Sequence, residues 1–483
     1  IQGFMITNGG NVNDGAGIYL NNASPILSGL MLQSNAATNY GGGIYMSNSN
    51  SMINGGIYKE NAAYRGGGIY MSYSSPELNG NTITENTTTN NGGGIYIINS
   101  SPVVSLSNIA QNSGAIGGGI YMHSSTMVMT RGTISENSST SDGGGLSAGV
   151  SSFSLTDVSI SGNSCAGLGG GIRTDGAFDV SMDNVRVTRN TSMNKGGGIF
   201  LWRTSAIISD TRIVNNIATT GGGGISISHN SDVTIAQSDI IDNATPGYGG
   251  GLHIYNSSPT IDGGTILGNS GTEGAAIFSE SAESSPVFTN ISMLSNNGNG
   301  MLVQSGNMSI SNSNIAYNGI GINSADELNN VDASGNYWGH SSGPYHQLQN
   351  PSGQGDSANV DVTPWLTTPN VSAPPIPAQN VRLSGFGNEF ISLRWDPSLL
   401  NDFAGFKLYY DSDSSGYPYS NSVDVGLDTS YTLSGLTLGT EYFISVTVYD
   451  TDGNESWYSN EVVGTTRVIE VQNLDIADDE DLL

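Results

Sequence analysis

Cysteine is nearly absent from this chain of 483 residues, which holds one, Cys165. A single thiol excludes an intrachain disulfide and any metal site built from several cysteines. Charged residues make up only 11% of the chain, and 41 acidic residues outnumber 13 basic ones. The resulting net charge of −28 argues against nucleic-acid partners and anionic membranes, since both require a basic surface.

Long apolar runs are also missing. No stretch reaches the roughly 18 apolar residues that a membrane-spanning helix needs. The chain starts at Ile1, without a charged and then apolar leader, so either a signal peptide has been removed or the sequence is a fragment.

Glycine is abundant, with 68 residues, and its clusters recur every 21 to 27 residues, each followed by an apolar anchor residue. These anchors are Ile18, Ile44, Ile69, Ile95, Ile120, Leu146, Ile172, Ile199, Ile225, Leu252, Ile277 and Met301, with a weak last copy at Ile322. An asparagine three residues after an apolar residue keeps the same phase, at Asn86, Asn112, Asn137, Asn163, Asn190, Asn216, Asn269 and Asn318. A period of this length indicates a solenoid, a propeller or an array.

Each repeat contains three short alternating runs, such as GGGIYI, PVVSL and TITEN, separated by glycine, asparagine, serine and proline. Such short, β-branched runs are typical of strands. Three strands per repeat predict a parallel β-helix of about 12 coils, which at ~4.8 Å per coil is about 60 Å long. We expect the glycines to form corners with positive φ, and the asparagines to adopt the left-handed conformation and stack their amides in a ladder.

The pairing of GGGI with an apolar-x-x-Asn sequence resembles the repeats of the chlamydial polymorphic outer membrane proteins. More broadly, it is similar to right-handed parallel β-helix surface and secreted proteins of the pectate-lyase-like superfold. The resemblance covers residues 1–366 and implies a right-handed β-helix in a bacterial extracellular or cell-surface protein.

The two ends of residues 1–366 differ from the regular coils. The first stretch, GFMITN, corresponds to the third strand of a coil and its asparagine, Asn8, which favours a fragment. Residues 331–366 are predicted to form a C-terminal plug in which Trp338 and Trp365 cover the last coil; a binding site is the alternative. The run GNYWGHSSGP, followed by GQGD and VDVTPWL, resembles the terminal segment of many secreted bacterial β-helix proteins.

A second domain is predicted after a proline-rich linker at residues 367–379. Residues 380–467 contain about seven alternating runs, which is typical of a β-sandwich. This segment resembles a fibronectin type III domain, with Trp395 in the second strand and Tyr442 in a tyrosine-corner sequence. Residues 468–483 form an acidic tail or a truncated linker. The whole chain is therefore predicted to be all-β.

In the strands that follow the glycines, the anchor and the second residue after it are expected to point inward, and the residues between and after them outward. The first outward column holds five tyrosines in successive coils: Tyr19, Tyr45, Tyr70, Tyr96 and Tyr121. Such a column resembles aromatic strips that stack on sugar rings. The alternative is that these tyrosines stack only on one another.

In later coils the outward columns mix charged and aromatic residues. The first contains Arg173, Phe200 and His253, and the second contains Asp175, Trp202 and Tyr255. We expect these residues to share one outer face, suited to binding an acidic polysaccharide; lyase chemistry and a plain scaffold are the alternatives. Asp175 and Glu280 are the only carboxylates in the columns, about 20 Å apart, so neither a multi-carboxylate calcium site nor a hydrolase pair is predicted.

No cofactor is predicted. The five histidines, His123, His229, His253, His340 and His346, show no metal-ligand spacing. Alternating acids at 411–416 and 450–456 suit Ca²⁺, but hairpin turns explain them more simply. We expect a monomeric, extracellular or cell-surface scaffold that binds polysaccharide as an adhesin, with no catalytic residue. A polysaccharide-degrading enzyme is the alternative.

Overall fold

A computed structural model describes residues 1–325, 328–344, 359–413 and 416–467. The chain divides into two compact units, Ile1–Ala373 and Pro374–Leu483. Every regular element in the described ranges is a β-strand, which confirms the predicted all-β class. Within these ranges there is no helix with the length and apolar character required to cross a membrane.

The first unit is a parallel β-helix, as predicted, in which each strand pairs with its equivalents one coil before and one coil after. Three long sheets have 13, 14 and 13 strands. The glycine sheet, whose strands follow the glycines, consists of Ile18–Asn21, Ile44–Ser47, Ile69–Ser72, Ile95–Ile98, Ile120–His123, Leu146–Gly149, Ile172–Asp175, Ile199–Trp202, Ile225–Ser228, Leu252–Tyr255, Ile277–Glu280, Asn299–Val303 and Ile320–Ser324.

The other two long sheets complete each coil. The second sheet consists of Ile26–Ser28, Met52–Asn54, Glu77–Asn79, Val103–Ser105, Thr126–Thr130, Ser152–Thr156, Val180–Asp183, Ser205–Ser209, Asp232–Ala236, Thr260–Asp262, Val287–Thr289, Met308–Ser311, Val331–Asp332 and Val360–Asp361. The third sheet consists of Met5–Thr7, Met31–Gln33, Ile57–Lys59, Thr82–Thr84, Asn108–Ala110, Thr133–Ser135, Ser159–Ser161, Arg186–Thr188, Arg212–Val214, Asp239–Ile241, Thr265–Leu267, Ser292–Leu294 and Asn314–Ala316.

Short strands connect the third sheet to the next glycine corner. Seven of them form a narrow sheet: Ala62–Ala63, Thr87–Thr88, Ser113–Gly114, Ser138–Ser139, Ser164–Cys165, Thr191–Ser192 and Ile217–Ala218. Two more, Val12–Asp14 and Ala37–Tyr40, pair with each other in the first coils. At several corners the residue before the glycines contacts an outward side chain of the glycine sheet, as Tyr40 contacts Tyr70 and Tyr248 contacts Phe278.

The interior of the β-helix is lined by columns of aliphatic side chains. Ile95 and Ile97 are completely buried, as the strand alternation predicted. Ile95 lies between Ile69 and Ile120 in the neighbouring coils. Because each coil repeats the same inward positions, one continuous core cluster extends along the β-helix.

The predicted asparagine ladder is present inside the wall. Each Nδ2 donates to the Oδ1 of the next asparagine at 2.9–3.1 Å along Asn35, Asn61, Asn86, Asn112, Asn137, Asn163, Asn190, Asn216, Asn243, Asn269, Asn296 and Asn318. The predicted left-handed conformation is wrong for these residues, because the preceding residue adopts it, as at Glu85 (φ 56°). Asn8 has a positive φ and therefore corresponds to the residue before a ladder asparagine. Gly9 occupies the ladder position of this coil, and its backbone NH donates to Asn35 Oδ1.

The glycines form tight corners, as predicted. Gly92 has a φ of 70°, which an L-residue adopts only with strain. The next glycine is required for space, because a Cβ on Gly93 would lie 2.4 Å from the carbonyl oxygen of Gly118 and 2.5 Å from that of Ser113. A serine ladder, which was not predicted, supports the corner after the glycine sheet. Each backbone NH donates to the serine Oγ of the next coil at 3.0–3.2 Å, along Ser49, Ser74, Ser100, Ser125 and Ser151.

The second unit is an antiparallel β-sandwich, which confirms the predicted fibronectin type III fold. One sheet contains Arg382–Phe386, Phe390–Arg394 and Ser430–Ser434, and the other contains Phe403–Asp411, Asn421–Gly426, Glu441–Asp450 and Val462–Thr465. Trp395 is buried against Phe406, with ring centroids 5.5 Å apart. The backbone NH of Thr437 donates to Tyr442 Oη at 3.0 Å, which forms the tyrosine corner.

The two tryptophans of the predicted plug lie in different environments. Trp338 is completely buried and belongs to the core of the β-helix, whereas Trp365 is 39% exposed. The predicted GQGD segment and the acidic tail at residues 468–483 lie outside the described residues.

Candidate functional site

Strand register places the predicted site residues in two neighbouring columns of the glycine sheet. Arg173 pairs with Phe200, and His253 lies two coils beyond Phe200 in the same column. Asp175, Trp202 and Tyr255 follow one another in the second column, with Ser228 between the last two.

Their exposure differs from the expectation that all of them face solvent. Tyr255 is 37% exposed, but Phe200 is 2% exposed and His253 is fully buried. The expectation was therefore wrong for Phe200 and His253. For His253 the reason is a stack of rings, in which Tyr248, from the segment before the glycine corner, lies 4.8 Å from Phe278, and Phe278 lies 5.7 Å from His253.

The five tyrosines of the first coils form a continuous ring stack. Successive centroids along Tyr19, Tyr45, Tyr70, Tyr96 and Tyr121 are 4.9, 5.3, 5.1 and 5.1 Å apart, and their planes differ by no more than 25°. Neighbouring tyrosines therefore occupy the faces of the inner rings. Exposure of the whole column was also predicted wrongly, because Tyr70 and Tyr96 are 8% and 4% exposed. Tyr40 stacks on Tyr70 at 4.7 Å, and Arg65 lies over Tyr96 at 5.6 Å.

Arg173 and Asp175 bind each other. The Arg173 guanidinium donates to the Asp175 carboxylate at 2.9 Å, and both side chains are partly exposed. Neither residue lines the cleft described next. The ion pair therefore lies one coil from Phe200 and Trp202 in the same two columns, but it does not line the cleft.

A cleft of about 280 Å³ lies on the outer face of the glycine sheet. We call it the aromatic cleft and define it by Lys195, Phe200, Trp202, His229, Tyr255 and Glu280. The Trp202 and His229 rings stack with centroids 3.7 Å apart and planes 13° apart, and Tyr255 tilts against His229 at 5.2 Å. These three consecutive rings, all in the lining of the cleft, are called the aromatic wall.

A buried hydrogen-bond chain holds the acidic group of the aromatic cleft. His253 Nε2 lies 2.9 Å from Glu280 Oε1, and His253 Nδ1 lies 3.3 Å from Ser226 Oγ. Burial lowers the pKa of His253, so the imidazole is neutral near pH 7. The hydrogen bond to His253 lowers the pKa of Glu280, so its carboxylate is ionised. Nε2–H therefore donates to Glu280, and Nδ1 accepts from the Ser226 hydroxyl.

Lys195 supplies the basic group of the aromatic cleft. Its Nζ lies 6.0 Å from the ring centroid of Tyr255, within the range of a cation–π contact. Burial lowers the pKa of the Lys195 ammonium, and the nearby Glu280 carboxylate opposes that shift. Among the residues that the structure describes, no carboxylate oxygen lies within 4.0 Å of Lys195 Nζ.

Lys195 and His229 were missed as site residues because they lie outside the strands of the glycine sheet. Lys195 directly precedes a glycine corner, in the sequence NKGGGIF, and His229 follows the strand Ile225–Ser228 with a φ of 59°. Their positions could have indicated a role in the site, because Lys195 directly precedes a glycine corner and His229 directly follows a strand of the glycine sheet. Side chains at such turns can reach over the outer face of the sheet.

The carboxylates considered for Ca²⁺ accept hydrogen bonds from turn amides. Asp450 Oδ1 accepts from the backbone NH groups of Asp452 and Asn454, and Asp411 accepts from Ser420. Within the described ranges, no group of three or more His, Cys, Asp or Glu side chains is arranged to hold a metal ion. His346 lies outside those ranges.

Segments of this chain are similar to known proteins. The Kelch domain-containing protein SSO1033 of Saccharolobus solfataricus is 34% identical over 83 residues, which cover 17% of this chain and only 11% of that protein. The human fibronectin type III domain containing protein 3 has a solved domain that is 26% identical and covers 21% of this chain and 94% of that chain, with a TM-score of 0.18. The β-1,2-glucanase from Parabacteroides distasonis is 25% identical and covers 20% of this chain and 14% of that chain, with a TM-score of 0.17.

Family models match both units. The fibronectin type III domain model matches residues 374–465. The model of the right-handed β-helix region matches residues 5–163, 79–240 and 197–344, which together span more than half of the chain. With its repeated parallel coils, the chain therefore belongs to the right-handed β-helix family and carries a C-terminal fibronectin type III domain.

Proposed function

We propose that this chain is an extracellular glycan-binding scaffold whose ligand site is the aromatic cleft. β-Helix and fibronectin type III domains are common in extracellular proteins and suggest a surface or carbohydrate-related scaffold. The observation that carries the proposal is the aromatic wall of Trp202, His229 and Tyr255 beside the charged groups of Lys195 and Glu280.

The chemistry of the aromatic cleft matches that of a sugar ring. A pyranose presents C–H groups on its faces, which pack against aromatic rings, and hydroxyls around its edge, which bind donors and acceptors. Trp202 is only partly buried, and Tyr255 is 37% exposed. The inner tyrosines of the tyrosine column offer less surface to a ligand, since Tyr70 and Tyr96 are only 8% and 4% exposed.

Replacing Trp202 with alanine is expected to weaken glycan binding at least tenfold, which corresponds to about 1.4 kcal/mol. The change removes the largest ring of the aromatic wall. Affinity electrophoresis of the full chain against neutral and acidic polysaccharides measures the effect. Tyr19→Ala is the matched control, because Tyr19 is a 54% exposed aromatic residue of the same sheet. Loss of binding in Tyr19→Ala but not in Trp202→Ala would contradict the proposal.

A polysaccharide-degrading enzyme is the second candidate function. It is favoured by the presence of Lys195 and the ionised Glu280 in one cleft, because the carboxylate can accept a proton and the ammonium, whose pKa is lowered by burial, can donate one. Incubating the chain with polysaccharides and measuring new reducing ends or unsaturated products tests this candidate. Product formation that Lys195→Met abolishes would support an enzyme, whereas retention without turnover supports binding alone.

A further inference from the structure

We infer that the aromatic cleft selects an uncharged sugar residue over an acidic one. This inference rests on the proposed glycan-binding function and adds the class of ligand. It follows from the two opposite charges of the aromatic cleft, Lys195 and Glu280, and from the contacts that position each side chain.

The Glu280 carboxylate is held in place by a buried histidine. Its Oε1 binds His253 Nε2 at 2.9 Å, and among the described residues the carboxylate has no second hydrogen-bond partner. His253 cannot turn away freely, because it is fully buried, its other nitrogen is 3.3 Å from Ser226 Oγ, and its ring stacks on Phe278. Glu280 thus adds a fixed, negatively charged acceptor to the lining of the aromatic cleft.

Lys195 complements this acceptor with a donor. Its ammonium lies over Tyr255 and keeps its hydrogens free of carboxylate partners in the part of the chain that the structure describes. Sugar hydroxyls suit both groups, since a hydroxyl can accept from Lys195 and can donate to Glu280. A ligand carboxylate is attracted by Lys195 but repelled by Glu280, and for a ligand ammonium the two effects are reversed, whereas a hydroxyl binds both groups without repulsion.

Charges outside the aromatic cleft add little attraction for an acidic polymer. Arg173 is paired with Asp175 at 2.9 Å. Residues 1–379 contain 23 acidic and 9 basic residues, a net charge of −14, which repels polyanions at long range. The exposed Arg203, which follows Trp202 in sequence, is a nearby cation that favours an acidic ligand.

The substitution Glu280→Gln tests the inference, because it should weaken the binding of a neutral oligosaccharide and not strengthen it. Calorimetric titration of the full chain uses cellohexaose, mannohexaose and laminarihexaose as neutral probes and hexagalacturonate as the acidic probe. We expect at least one neutral probe to bind more tightly than hexagalacturonate, and Glu280→Gln to weaken that binding about tenfold. Glutamine keeps an acceptor for His253 but loses the charge. Arg203→Gln is the matched control and should change the affinity for the neutral probe less than twofold.

Two outcomes overturn the inference and leave the proposed function standing. One is tighter binding of hexagalacturonate than of every neutral probe, with Glu280→Gln strengthening it and Arg203→Gln weakening it. The other is binding of a neutral probe that Trp202→Ala weakens but Glu280→Gln does not change. Failure of the wild-type chain to bind any of the four probes counts against both the inference and the proposed function.

Discussion

Replacing Asn137 with alanine is expected to lower the free energy of unfolding of the β-helix by roughly 3–5 kcal/mol. Oδ1 of Asn137 accepts from the backbone NH and the Nδ2 of Asn112, both at 3.0 Å. Nδ2 of Asn137 donates to the carbonyl of Ile109 and to Asn163 Oδ1, both at 2.9 Å. Alanine removes all four hydrogen bonds. Because the site is fully buried, water cannot replace them.

Urea unfolding of the full chain, analysed for the transition of the β-helix, measures this loss in the free energy of unfolding. The matched control is Asn39→Ala, since Asn39 is exposed and lies outside the asparagine ladder. The control should change the free energy of unfolding by less than about 0.5 kcal/mol. Equal destabilisation by the two substitutions would mean that the asparagine ladder does not hold the coils together.

Replacing Gly93 with alanine is expected to destabilise the β-helix by roughly 4–5 kcal/mol or more, or to prevent folding. The added methyl group would lie 2.4 Å from the carbonyl oxygen of Gly118 and 2.5 Å from that of Ser113. Both atoms belong to the backbone of the next coil, so no side-chain rotation relieves the overlap. The two coils must separate, which breaks the hydrogen bond from Gly93 N to Gly117 O at 3.2 Å.

Gly10→Ala is the control for this substitution. A Cβ on Gly10 would meet only the carbonyl oxygen of Ala36, at an ordinary distance of 3.8 Å. Soluble yield and the midpoint of thermal unfolding of both variants provide the measurement. An unchanged midpoint in Gly93→Ala would contradict this prediction, because it would show that the neighbouring coils can accommodate a methyl group at this corner.

The fold was predictable because every coil repeats the same physical requirements. The glycine corners need positive φ or space at each coil, and the buried asparagines need partners at each coil, so both appear at a fixed spacing in the sequence. The serine ladder through Ser74 and Ser100 was missed, because serine is also common in the exposed turns of this chain. The left-handed conformation was assigned one residue too late, since asparagine favours it intrinsically while the ladder needs Asn86 in another conformation.

The aromatic cleft was only partly predictable. Strand alternation correctly placed Trp202 and Tyr255 on one outer face, because that depends only on register. It did not show that His253 is buried or that Lys195 reaches the same face. Those features depend on the segment before each glycine corner, which differs in length and composition from coil to coil. Side chains from that segment cover some outward positions and leave others open.

Hydroxyl-radical footprinting with and without the neutral oligosaccharide that binds best tests the central claim most directly. The method reports the solvent access of individual side chains, and Tyr19 at 54% exposed provides an internal reference far from the aromatic cleft. The account predicts that the sugar lowers the oxidation of Trp202, His229 and Tyr255 and leaves that of Tyr19 unchanged. Protection of the tyrosine column, with no change at Trp202, His229 and Tyr255, would contradict it.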